Sequence, residues 1–130
     1  MAALARNGPG SALGELVLYL AIMLSGECGK VGNGCERAVM SVAANRVAVS
    51  PWPDDIKTVV RRGFFGRRNP PTEEALAVAE AYVLDPTSFR DGLYYFVYSD
   101  SDRRRQGWQA GDERLCGGGF CLHLSREWPG

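Results

Sequence analysis

The sequence predicts one mostly helical α+β domain, and three observations carry that prediction. Residues 11–24, 35–47 and 72–84 place apolar or small side chains at helical spacing. Leu93-Tyr94-Tyr95-Phe96-Val97-Tyr98 is rich in aromatics and reads as a strand. The 130 residues suit a single domain, and a hydrophobic fraction of 45% is too high for disorder. Residues 1–10 read as a flexible leader and 11–130 as one core, with no internal repeat and no low-complexity stretch.

The elements follow in order. A first helix is expected from about Ser11 to Leu24, with Ser11 as its N-cap. A glycine-rich loop, Gly26 to Gly34, comes next. A second helix runs from about Cys35 to Val47, its Ala38, Val39, Val42 and Ala43 small enough for close packing, and Ser50-Pro51-Trp52-Pro53 ends it. Asp54 or Asp55 caps a short helix through Val60. Arg61 to Pro71 reads as a basic loop. Thr72 caps a further helix with Glu73 and Glu74 in its first turn, and Asp85-Pro86-Thr87 stops it after Leu84. A polar tongue, Ser99 to Arg105, follows the strand, and Trp108 with the glycine-rich tail Leu115 to Leu124 suggests a hairpin partner for it.

Fifteen basic and fifteen acidic side chains cancel, which argues against a general nucleic-acid binder. The start of the chain has one basic residue and no apolar stretch before Pro9, so no secretory signal is evident there. The apolar run Leu16 to Leu24 is far short of the ~20 residues that span a bilayer and reads as a core helix. Four cysteines form two local pairs, Cys28/Cys35 and Cys116/Cys121. Short disulfide loops rank first for them. Zinc, with His123 as a spare ligand, ranks lower because only the second pair has knuckle spacing. Free buried thiols remain a third reading.

Glu27 is the leading chemical candidate. It closes the run Leu16-Val17-Leu18-Tyr19-Leu20-Ala21-Ile22-Met23-Leu24-Ser25-Gly26 and precedes Cys28-Gly29. Desolvation at the tip of a greasy helix disfavours the charged form of a carboxyl group. A general acid working near neutral pH needs that condition. The plainer reading is a solvated glutamate at a helix end.

The order of the motifs resembles the catalytic domain of the SleB-type cell-wall hydrolases, which include the spore-cortex-lytic enzymes. That family has an apolar helix ending in Gly-Glu and a second helix ending in Asn-Arg-Val. Here these are Gly26-Glu27 and Asn45-Arg46-Val47, in register without a gap. The similarity continues through Trp52-Pro53-Asp54-Asp55-Ile56, Val59-Val60, Gly63-Phe64-Phe65-Gly66, the helix from Ala75 to Leu84, Asp85-Pro86-Thr87 and Gly92-Leu93-Tyr94-Tyr95-Phe96. It covers roughly residues 14–98. Three polar family positions are lost, as Val31, Phe64 and Gly66, and the family's Gly-Gln is Cys35-Glu36.

The resemblance implies a lysozyme-like fold that cleaves the glycan strands of peptidoglycan, as a lytic transglycosylase or muramidase. It implies Glu27 as a single general acid/base, needing no metal or cofactor, and action on the bacterial cell wall; with no secretory signal evident, a phage lysin, a virion-associated enzyme or a part of a larger export machine is expected. Tyr95 matches the family's strand tyrosine and is a substrate-binding candidate, with Tyr94 and Tyr98 as substitutes. Phe65, Trp52 and Trp108 offer flat faces for sugars, although Trp52 suits the core better. Thr87 faces either the cleft or its own turn. Asn45 and Arg46 are expected to tie the second helix to the glutamate loop. Arg61, Arg62, Arg67 and Arg68 flank the expected groove and either steer anionic walls or stay solvated; Arg103-Arg104-Arg105 reads as a solvated tip. A lone histidine without a nearby nucleophile argues against Ser/His or Cys/His catalysis. The main alternative is a non-catalytic wall-binding or structural module on the same scaffold, followed by a zinc-binding regulator and, last, nucleic-acid binding through the 61–68 loop.

Overall fold

A computed structural model of the chain describes residues 12–29, 31, 34–48, 55–91, 95–97, 113–117 and 120–125. Among the described residues four α-helices dominate: α1 (Ala12–Cys28), α2 (Cys35–Val47), α3 (Ile56–Gly63) and α4 (Glu73–Leu84). A 3₁₀ turn, Pro86–Phe89, follows α4. Three short strands, β1 (Tyr95–Val97), β2 (Glu113–Gly117) and β3 (Phe120–Ser125), make an antiparallel sheet in the order β1-β3-β2. Ser11, Trp52, Asp54, Tyr94, Tyr98, the 99–105 tongue and Trp108 lie outside the described residues.

α1 runs a full turn past its expected end at Leu24 and takes Ser25, Gly26, Glu27 and Cys28 into the helix. Gly29 stops it: with φ 39° it adopts the left-handed conformation that an L side chain resists, and its N–H reaches Ser25 O at 2.9 Å. α3 also outruns its expected end at Val60, continuing through Arg61, Arg62 and Gly63 until the Phe64 amide closes the last turn on Val60 O at 2.9 Å. Arginine is a good helix former, and its charge is favourable beside the partial negative end of a helix. α2 has the expected limits.

The core lies among the helices. α1 packs chiefly on α4 and then on α2. Val17, Leu20, Ala21, Leu24 and Cys28 form one buried stripe on α1, with Met23 beside it. α4 answers with Ala75, Ala79 and Tyr82, and its two small alanines let the helices approach. Val39, Met40, Val42 and Ala43 of α2 and Val59 and Val60 of α3 complete it. Each such large side chain contributes about 1.5–3 kcal/mol by leaving water. Leu124 of β3 reaches the same core, and β1 approaches α2.

The cysteines of the first pair are bridged. Cys28 closes α1, Cys35 opens α2, and their Cα atoms are 5.7 Å apart. With both sulfurs in one bond, a four-thiolate zinc site has lost two ligands. Cys116 is also disulfide-bonded and faces Cys121 across the β2–β3 register.

The short helix α3 depends on its cap. Asp55 Oδ2 accepts from the Thr58 N–H at 3.1 Å and from the Thr58 hydroxyl at 2.7 Å. The hydroxyl bond first and the backbone bond second hold this carboxyl group below its ordinary 3.8. A depressed folded-state value means that the cap stabilises above the unfolded pKa and fades as pH falls through the lowered one. An Asp55→Ala protein is therefore expected to melt below the parent at neutral pH, with the gap closing under acid; thermal melts across that range measure it. Replacing Cys28 and Cys35 together by serine is expected to cost about 2–3 kcal/mol for so short a loop, read by urea unfolding.

Candidate active site

Glu27 stands in the last turn of α1, half-buried. Its Oε1 accepts a hydrogen bond from the Gly66 amide at 2.8 Å. Among the described residues that amide, and no guanidinium, is its hydrogen-bond partner.

Gly66 can reach Glu27 because two backbones touch. A Cβ on Gly26 would fall onto the Gly66 carbonyl carbon and the Arg67 amide nitrogen. A Cβ on Gly66 would lie 2.6 Å from Glu27 N and from the Gly26 carbonyl carbon. Both distances are shorter than real Cβ contacts, so each position requires glycine. The 64–72 segment thus lies directly across the end of α1, and three further bonds hold it there. The Arg68 N–H reaches Ile22 O at 3.0 Å, and the Thr72 N–H reaches Ser25 Oγ at 2.9 Å. The hydroxyls of Ser25 and Thr72 share a proton contact at 3.4 Å. Thr72 also caps α4, its Oγ1 accepting from Ala75 N at 3.1 Å, so the same residue fixes the loop and starts the next helix.

Within that segment Phe64 and Phe65 part. Phe64 is wholly buried, with the Arg46 guanidinium 5.2 Å from its ring centre. Phe65 is 80% exposed. Arg67 donates from Nη1 to Phe64 O at 2.9 Å and to Gly66 O at 2.6 Å, clasping the backbone on both sides of Phe65. An exposed aromatic ring therefore sits one residue from the amide that holds Glu27.

The other sequence candidates are placed differently. Thr87 lies in the 3₁₀ turn, and its hydroxyl donates to Asp85 Oδ1 at 2.7 Å, a bond within its own turn. No described contact joins it to Glu27. Tyr95 opens β1 opposite Ser125; its side chain, like Trp108, is outside the described residues. The bonds described for Asn45 run to its own helix and to the turn after α4. It is buried on the face of α2 that meets the 3₁₀ turn, and its Nδ2 donates to Ser41 O, Phe89 O and Asp91 Oδ1 at 2.9, 3.3 and 3.0 Å. Arg46 is buried close to Gly63, where a Cβ would stand 2.9 Å from its Nη1. Val31 is core.

Sequence reasoning missed the Gly66 amide and the Ser25–Thr72 tie. The sequence carries a signal for the first: Gly26 sits in an apolar helical run, and a mid-helix glycine costs about 1 kcal/mol against alanine unless something needs the space.

Comparison with protein-family models, with curated proteins and with solved structures gives no match to this chain.

The crossing makes a prediction whose sign opposes helix propensity. Gly26→Ala should destabilise, by roughly 1–3 kcal/mol or more, because a methyl group forces two backbones apart. Propensity alone would make the same change stabilising by about 1 kcal/mol. Chemical denaturation of the variant decides between them.

Proposed function

We propose that this chain cleaves the glycan strands of peptidoglycan, as a lytic transglycosylase or muramidase built on a lysozyme-like helical domain, with Glu27 as general acid/base. The observation that carries the reading is the setting of that carboxyl group. It is half-buried on a rigid helix end, oriented through one oxygen by a backbone amide, and neighboured by an exposed aromatic ring. The motif order from Gly26-Glu27 to Tyr95-Phe96 supplies the substrate class.

The chemistry balances with one carboxyl group. Oε1 is held by Gly66, and the other oxygen delivers its proton to the glycosidic oxygen as the bond to the sugar's anomeric carbon breaks. The positive charge that develops on the ring is then met by the sugar's own hydroxyl. Its oxygen bonds to the anomeric carbon, and its proton returns to Glu27. The products are a shortened strand and an anhydro end. Hydrolysis would deliver water to the same carbon and usually enlists a second carboxylate. Phe65 stacks on a sugar face in this reading, and Tyr95 and Trp108 contact substrate from the strand and tail, whereas Thr87 spends its hydroxyl on its own turn. The site of action is the bacterial wall, reached as part of a phage particle or a larger complex.

A second reading is a wall-binding module without catalysis. It is favoured by Val31 and Phe64, which bury apolar side chains where the resembled family carries polar ones.

Purified peptidoglycan separates them. The parent protein is expected to lower wall turbidity and leave anhydro or reducing ends by mass spectrometry. Glu27→Gln should lose on the order of 10²- to 10⁴-fold in rate while keeping its fold. A glutamine variant that lyses at the parental rate would overturn the assignment, and binding without new ends in the parent would establish the second reading.

A further inference from the structure

The segment that ends α3 and crosses α1 reads Arg61-Arg62-Gly63-Phe64-Phe65-Gly66-Arg67-Arg68, the same in both directions. Its centre divides, one phenylalanine buried and the other exposed. Its two ends place an arginine pair on either side of the exposed ring, and all four arginines are exposed. No acid falls between positions 61 and 71, in a chain whose formal net charge is +0. Four of the chain's fifteen basic side chains thus stand on the segment that, among the described residues, bonds Glu27. Its placement is fixed: Arg61 and Arg62 ride the last turn of α3, Arg68 is anchored through its amide to Ile22 O, and Arg67 closes the clasp around Phe65.

We propose that this segment is a binding element for an anionic polysaccharide, with Phe65 as the platform for a sugar ring and the flanking guanidinium groups as ligands for carboxylate or phosphate groups carried by the same strand. The proposal rests on the reading of Glu27 as a glycan-cleaving acid and narrows its substrate to walls that carry dense negative charge. Guanidinium groups present forked donors that match both anions, and charge-assisted bonds of this kind are about twice as strong as neutral ones. The members of the cluster are not equivalent. Nη1 of Arg67 is committed to loop carbonyls, and Arg61 sits in the field of Asp55. Arg62 and Arg68, one on each side of Phe65, are therefore the principal ligands.

The test uses the full chain carrying Glu27→Gln, so that walls are bound without being cut, in co-sedimentation with purified walls at rising salt. Arg62→Gln with Arg68→Gln should weaken wall binding about tenfold and flatten its salt dependence. Phe65→Ala should weaken binding while leaving the salt dependence in place. Walls stripped of phosphate polymers by hydrofluoric acid and walls with amidated stem carboxylates identify the anion: the treatment that abolishes the arginine effect names the source. Circular dichroism confirms that these exposed substitutions leave the fold intact. Parental affinity and salt dependence in the double variant would overturn the proposal. So would tighter, arginine-dependent binding of duplex DNA than of walls. Lysis by the parent distinguishes the two readings: a lytic parent with an unaffected double variant removes only the anion-binding element, and arginine-dependent binding by a non-lytic parent removes only the catalytic assignment.

Discussion

Two stretches of main chain meet at Gly26 and Gly66 with no side chain between them. Such contact brings a loop as near to a helix as backbone atoms allow, and much else in the molecule depends on that proximity. Without it the Gly66 amide would not reach Glu27, the Arg68 amide would stand off from Ile22 O, and Ser25 would not meet Thr72. The loss would spread to α4, because Thr72 is both the last anchor of the loop and the cap of that helix. α4 in turn carries the small-residue face on which α1 lies. A contact of a few atoms thus joins the candidate site to the main helix pair.

The run Gly26-Glu27-Cys28 is fixed by a different kind of physics at each position. Gly26 is fixed by steric exclusion, since only hydrogen fits. Glu27 is fixed by a directional bond from an amide that cannot itself wander. Cys28 is fixed covalently to the start of α2. This is the arrangement that a positioned proton donor requires, where displacement by about 1 Å is costly in rate. It also accounts for a glycine and a cysteine in the last turn of α1.

Much of this architecture is legible in the sequence, and the failures have identifiable causes. α2, α4 and the stop at Asp85-Pro86-Thr87 follow from spacing, caps and proline, all of which act locally. α1 and α3 run past their expected ends because glycine, read alone, signals a break. Gly26 is retained inside the helix for a neighbour forty positions away in sequence, and Gly63 closes a helix end beside buried Arg46. Glu27 stands out by its apolar run, and Phe65 by the aromatic pair. Nothing local says which of Phe64 and Phe65 is buried, because that depends on how the loop is draped over α1. Asn45 shows the same limit: a structural role was readable from its place at a helix end, whereas its partners on the 3₁₀ turn are set by tertiary packing.

The clasp that Arg67 makes on the carbonyls of Phe64 and Gly66 has a thermodynamic consequence. An aromatic ring on a free loop would surrender backbone freedom on meeting a ligand, at about 1–2 kcal/mol for each residue ordered. Here that freedom has already been given up on folding. Were a ligand to stack on Phe65, only the rotamers of its ring would remain to be settled, and the contact would start from a preorganised surface.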